Sequence, residues 1–224
     1  MTEAISFLEP LNRLAGMRAG WCGRLAGVDV DCDRDEAMRR LRDSHEAWLG
    51  AWGGGGEVFW RGEQIHGNRV AVVPGVDRIA APDGLPMVPG VDGLLTAMPG
   101  VTLGVYVADC GPIWLADPVR GVVGLLHSGK KGTEQDIFGV AIETMRREFG
   151  SAVADIVAVL GPCIRPPDYE VDFAREIASQ AARHGVIRFT DCGVNTASDL
   201  SSHYSYRREL GKTGRMLATI HITP

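Results

Sequence analysis

From Asp35 to Trp52, apolar side chains recur at Met38, Leu41, Trp48 and Trp52 with arginines between them, which predicts an amphipathic helix ended by the run Gly53 to Gly56. After it, Glu57 to Trp60 and Arg69 to Val73 read as strands, because β-branched and aromatic residues are bounded by Gly and Pro, and His66 falls in the turn between them. Pro74 to Gly100 is rich in Pro and Gly. Three strands are then expected at Val101 to Val107, Ile113 to Ala116 and Val122 to Leu126, and their near-continuous apolar character predicts burial on both faces. Thr133 with Asp136 resembles a capping box, and Ile137, Val140, Ala141 and Met145 follow at helical spacing, so a helix is expected just beyond the loop Gly129 to Gly132. Ala154 to Leu160 reads as a further buried strand, Asp172 to His184 as a helix closed by Gly185, and Leu217 to Ile222 as a last strand. The alternation is too irregular for a Rossmann or barrel count, and no repeat is present.

Composition narrows the classes. With 224 residues and 45% hydrophobic content the chain can bury a sizeable core. A net charge of -5, with no long Lys/Arg run, gives no electrostatic case for a nucleic-acid partner and favours small molecules. The five cysteines, at 22, 32, 110, 163 and 192, are scattered, odd in number and never in a Cys-x-x-Cys pair, which argues against a disulfide framework or a structural zinc knuckle and fits a reducing cytoplasm. The start, Met1-Thr2-Glu3-Ala4, lacks a basic leader, and no apolar run approaches the ~20 residues of a membrane helix, so a soluble, non-exported protein away from membranes is expected.

Two constellations carry candidate chemistry. Cys110 falls at the end of the 101 to 107 strand and His127 at the end of the 122 to 126 strand; if both strands end at one rim of a sheet, their side chains converge, and His66 can supply a third ligand. Two imidazoles and a thiolate suit zinc or copper and leave one coordination position for water or substrate. The competing reading is a buried free cysteine beside two hydrogen-bonded histidines. The second constellation is Ser128-Gly129-Lys130-Lys131-Gly132, where a strand opening into a helix can present free N–H groups and two lysines to a phosphate. It lacks P-loop spacing, and a tight strand-to-helix connection with solvated lysines explains it equally well.

Eight blocks occur in order: Gln64-Ile65-His66-Gly67, Asp92-Gly93-Leu94-Leu95-Thr96, Ala108-Asp109-Cys110-Gly111-Pro112, Ala116-Asp117-Pro118, His127-Ser128-Gly129, Gly161-Pro162-Cys163-Ile164, Tyr169-Glu170-Val171, and Ser205-Tyr206-Arg207-Arg208 with Thr213-Gly214-Arg215-Met216. From about residue 57 onward the chain resembles the laccase-domain family, once described as multicopper polyphenol oxidases and now regarded as purine nucleoside phosphorylases. The resemblance implies a single α+β domain over residues 1 to 224, with a mixed β-sheet flanked by helices. It implies a metal, usually zinc, held by His66, Cys110 and His127, and phosphorolysis of purine nucleosides such as adenosine or inosine, with adenosine deamination as a further activity. Arg207 and Lys131 are then candidates for phosphate contact, because a phosphate of nearly two charges needs cationic partners. Asp109 either orients a metal ligand or caps a turn.

This chain departs from the family where relatives read His-Ala-Gly-Trp-Arg-Gly: His127-Ser128-Gly129-Lys130-Lys131-Gly132 lacks the aromatic ring and the planar guanidinium, and lysine gives charge without the bidentate fork. The region between Tyr169 and Ser205 is also short, with only Asp191-Cys192-Gly193 where relatives carry Cys-Thr-Tyr. Alternatives are a hydrolase using Cys110 as nucleophile with His127 or His66 as base, a metal-dependent amidase of a peptidoglycan precursor, and a metal-binding member without turnover. A laccase fits worst, since several coppers need more ligands than six histidines readily furnish. Cys163 is expected in a packed turn and His203 in a surface loop. Trp48, Trp52, Trp60 and Trp114 are expected as packing residues, with Trp60 a possible purine-stacking face. The oligomeric state is not readable from the sequence.

Overall fold

The computed structural model describes residues 3–53 and 58–223. A 3-10 turn at Glu3–Leu8 leads into a short helix α1 (Glu9–Asn12), strand β1 (Met17–Cys22) and the long helix α2 (Arg34–Trp52). Strands β2 (Val58–Arg61), β3 (Val70–Val72), β4 (Ile79–Ala80), β5 (Pro86–Met87), β6 (Gly93–Thr96), β7 (Val101–Val107), β8 (Gly111–Asp117) and β9 (Val122–Ser128) follow. Helices α3 (Lys130–Glu134) and α4 (Ile137–Phe149), strand β10 (Val157–Leu160), helix α5 (Phe173–Arg183) and strands β11 (Arg188–Asp191) and β12 (Met216–Ile222) complete the chain.

The strands form a four-stranded sheet in the order β1-β12-β7-β2, a six-stranded sheet in the order β11-β10-β8-β9-β6-β3, and the small pair β4-β5. Both large sheets are mixed: β2 runs parallel to β7 and β3 parallel to β6, whereas β8 pairs antiparallel with β9 and with β10. The α+β class with mixed strands holds, although two stacked sheets stand where one was expected. Side chains from their facing surfaces make one core, with Val105, Ala218 and Trp21 on one side and Trp114, Val123, Leu125 and Val159 on the other. The outer face of the six-stranded sheet packs Ile113, Leu115 and Leu126 against Phe138 and Ile142 of α4 and Ile177 of α5. The outer face of the four-stranded sheet packs Tyr106 and Leu217 against Met38 and Trp48 of α2.

This layering of helix, sheet, sheet and helix explains the apolar runs. Along β8, Trp114 and Ala116 face the other sheet while Ile113 and Leu115 face the helices, so both faces are dry and the period of two is present without polar alternation. The sheets are also tied by the Trp114 indole, which donates to the Thr219 carbonyl at 2.8 Å.

Helix ends follow their local chemistry. Asp33 caps α2 by accepting from the Glu36 amide, and Gly53 closes it at φ 104°, where a left-handed residue returns its N–H to the last turn. The rest of the run Gly53 to Gly56 and the expected first strand residue Glu57 lie outside the described residues. Downstream of β9 the expectation needs correction. Ser128 to Gly132 is not an open loop: α3 already starts at Lys130, and the Thr133 hydroxyl is used inward, against Ser128 and the Gly129 carbonyl. Asp136 then turns left-handed at φ 55° and itself caps α4 through the Gly139 amide, so no capping box forms from Thr133.

Other differences have physical causes. The segments 58–61 and 70–72 do not form a hairpin but enter different sheets. Strand β6 lies inside the Pro/Gly-rich stretch; its four buried residues are too few to show a period. In β1, Gly20 interrupts the pattern because a Cβ there would sit 2.6 Å from the Trp52 ring. A 3-10 turn occupies Val153–Asp155, so β10 begins later than expected. No helix among the described residues is long and apolar enough to cross a membrane.

Candidate metal centre

His66 arrives on the loop between β2 and β3, Cys110 on the crossing from β7 to β8, and His127 on β9 itself. The convergence of Cys110 and His127 does not come from two strands ending at one rim, because β7 and β9 belong to different sheets. It comes from the β8–β9 ladder, which sets Gly111 opposite Ser128 and Pro112 opposite His127. Cys110 therefore lies against Gly129, where a Cβ would fall 2.6 Å from the sulfur. One ligand atom from each of His66, Cys110 and His127 lies within 4.8 Å of the others. The two rings meet edge to face with centroids 4.9 Å apart.

A carboxylate not singled out among the sequence candidates organises this group. Asp92 is buried between β5 and β6, and its Oδ1 accepts from His127 Nδ1 at 2.8 Å. A carboxylate can only accept, so Nδ1 carries a proton, which leaves Nε2 as the ring nitrogen that would turn its lone pair to a cation once one displaces the proton there. The same carboxylate accepts the His66 and Gly67 amides, each at 2.8 Å. Burial alone would raise Asp92, but the bonds from His127 and these amides outweigh it and hold the carboxyl below its usual range. Burial likewise opposes charge on Cys110 and His127. Their mutual attraction prevails, lowering the thiol and raising the imidazole with help from His66 and Asp92 respectively.

Gln64 performs a parallel task. Its side-chain amide donates to the Tyr106 carbonyl at 2.6 Å and accepts the Tyr106 amide at 3.0 Å, so one side chain extends the four-stranded sheet and anchors the His66 loop. Gln64, His66 and Asp109 all have positive φ, at 63°, 64° and 81°. Three non-glycine residues held in the left-handed region beside one centre mark a backbone shaped for function rather than for local stability.

Asp109 is used elsewhere than at the histidines. Its carboxylate accepts from Thr196 Oγ1 at 2.7 Å, Ser205 Oγ at 3.1 Å and the Arg207 amide at 2.7 Å, fastening the 196–207 segment beside Cys110. Of the phosphate candidates, Lys131 is exposed in the short helix α3, whereas Arg207 donates to Glu170 at 2.7 Å and covers the Tyr169 ring. Cys163 is buried in a packed turn with a raised thiol, as expected. Trp60 is buried and capped by Arg78 at 4.2 Å, so it presents no stacking face to a purine.

The three donors open into a cleft of about 920 Å³, whose wall includes Tyr169, Phe173, Ile164, Tyr206, Arg207, Arg215 and Arg34. Arg215 and Asp92 each sat within a recognised sequence block, yet nothing in a single sequence separates a cleft arginine or a ligand-orienting carboxylate from its solvated neighbours.

A family model described as multi-copper polyphenol oxidoreductase laccase matches residues 11–186 and 171–223. The chain belongs to this family. A purine nucleoside phosphorylase of Deinococcus radiodurans is 33% identical over 93% of this chain and 86% of its own length. The purine nucleoside phosphorylase YlmD of Bacillus subtilis is 31% identical over 86% of this chain and 78% of its own. The crystal structure of YlmD from Geobacillus stearothermophilus superposes with a TM-score of 0.81 at 26% identity, covering 96% of this chain and 94% of that one.

Proposed function

We propose that this family member is a zinc-dependent purine nucleoside phosphorylase acting on nucleosides of the adenosine or inosine type. The observation that carries the reading is the His66, Cys110 and His127 donor set, with Asp92 orienting one imidazole, at the floor of an open cleft. The donors fit a tetrahedral ion with one position free, and thiolate with imidazole favours zinc, with copper as the alternative. Purine nucleoside phosphorylase is the name of the relatives compared above, and it supplies the substrate class.

In phosphorolysis a phosphate oxygen bonds to the ribose anomeric carbon, the bond from that carbon to the purine nitrogen breaks, and the base departs with the bonding pair and takes up a proton. When bound, the ion supplies a Lewis acid for the leaving base, or an acidified water for deamination. The chain contributes position. Asp92 and Gln64 hold the His66 loop and the His127 ring, and Asp109 holds the 196–207 segment over the cleft. The exposed Tyr206 ring in the cleft wall offers an apolar surface for a base, and the cleft cations attract the phosphate. The five free thiols suit a cytoplasmic setting.

Purified protein is expected to carry near-stoichiometric zinc and to release free base from adenosine or inosine only when phosphate is supplied, with both properties lost in Cys110→Ala. Retained metal and unchanged turnover in that variant would refute the reading. A second reading has its own support: Cys110, His127 and Asp92 also stand in the order of a nucleophile, a base and its orienting carboxylate. Hydrolysis by metal-free protein, with an acyl group trapped on Cys110, would favour that hydrolase.

A further inference from the structure

Among the cations lining the cleft, two arginines are used neither by the candidate metal centre nor by any described carboxylate. Arg215, just before β12, is half-buried in the wall, and its Nη1 donates to the carbonyls of Thr213 at 3.0 Å and Gly214 at 2.8 Å. Its other N–H groups have no acceptor among the described residues, and they are not sealed in protein, so they face the open cleft. Arg34, at the start of α2, lines the same cleft, is exposed, and likewise has no ion pair among the described residues. The other arginines of this region differ: Arg207 is paired with Glu170, Arg208 with Asp168 and Arg165 with Asp191.

Placing two guanidinium groups within electrostatic reach of each other, one of them partly desolvated, is unfavourable unless an anion is to be bound there. Burial, and next the Arg34 charge, pull the Arg215 guanidinium down to about 10, which leaves it protonated at neutral pH. The opposing influence of the Cys110 sulfur and the Asp109 carboxylate on the same group shows that this corner of the cleft adjoins the candidate metal centre.

We propose that Arg215 and Arg34 form the oxyanion subsite of the cleft and bind a tetrahedral anion of the inorganic phosphate class. Guanidinium forks match the paired oxygens of phosphate, which the ammonium groups of Lys130 and Lys131 in the same lining cannot do, and Arg207 is already neutralised by Glu170. The identity of the anion as a co-substrate rests on the phosphorylase reading; the binding itself does not.

Calorimetric titration of the purified protein, with its metal, by inorganic phosphate tests the assignment. Arg215→Gln and Arg34→Gln should each weaken phosphate binding at least tenfold, with zinc content and melting temperature unchanged, and sulfate should compete in the parent protein. In a turnover assay the same variants raise the KM for phosphate and leave that for the nucleoside in place. If Arg215→Gln fails to fold, Arg34→Gln and Arg215→Lys decide, the lysine restoring only part of the affinity. Phosphate binding at parental strength in Arg34→Gln and Arg215→Lys, its loss in Lys131→Gln alone, or no phosphate binding by the parent protein would overturn the proposal. Phosphate binding that depends on Arg215 without release of base from any nucleoside would uphold the subsite and remove the phosphorylase reading.

Discussion

At the residue scale the decisive feature is how many tasks single side chains perform around the three donors. Asp92 accepts one imidazole N–H and two backbone amides, so it sets both the proton position on His127 and the path of the His66 loop. Replacing it by Asn keeps the shape but offers one acceptor oxygen where two are used, and it permits the other His127 tautomer. Asp92→Asn should therefore lower zinc affinity by ~10- to 100-fold, the usual effect of losing a ligand-orienting partner, as measured by competition with a chromophoric chelator. Affinity equal to the parent would show that the Asp92–His127 bond has no bearing on metal binding. The candidate ligands His66, Cys110 and His127 were legible through the family blocks that contain them, and the fold brings them together. Asp92 was not, because an aspartate before a short strand has the same local signature whether it faces solvent or a histidine.

At the element scale, α2 does more than cover a sheet. Its His45 is 2% exposed, with Nε2 at 3.1 Å from the Arg215 carbonyl and the ring 5.3 Å from that of Tyr106. Burial, offset only partly by that carbonyl, lowers His45 from 6.5 to about 4. The folded state thus resists the proton that the unfolded state accepts. The stabilisation is complete above pH 6.5 and is lost as pH falls from there toward 4, and the drop corresponds to ~3 kcal/mol. We expect chemical denaturation between pH 7 and 4 to show this loss, and His45→Gln to flatten that part of the profile while lowering stability at pH 7. A variant with the parental pH slope would assign the acid sensitivity to other groups. The carbonyl that His45 contacts belongs to Arg215, so α2 also steadies the cleft wall. The helix was legible from its spacing, but His45 showed no sign of its role, since burial of a polar residue depends on what packs above it.

At the scale of the whole molecule, the candidate centre links segments that are distant along the chain and belong to both sheets. His66 follows a strand of the four-stranded sheet, Cys110 lies where the chain crosses to the six-stranded sheet, and His127 sits within the latter. A cation that grips all three binds the folded chain and not the unfolded one, so its removal should destabilise globally. With zinc at 100 times its dissociation constant the stabilisation is ~2.7 kcal/mol, and a protein of this size should lose ~5 to 11 °C in melting temperature on chelation. Scanning calorimetry with and without chelator measures the shift; an unchanged melting point would mean that the three side chains hold no ion. By itself, the sequence determined the helices α2, α4 and α5 and the long central strands, because these depend on local spacing, and through its family blocks it offered His66, Cys110 and His127 as the candidate ligands that the fold then gathers. Only the tertiary structure decided that the strands divide into two stacked sheets, that the chain winds into a helix already at Lys130, that Asp92 orients His127, and that Arg215 stands without a counter-charge among the described residues. Each of these is a relation between surfaces or charges far apart in the chain, and a linear pattern of residue types carries no measure of that separation.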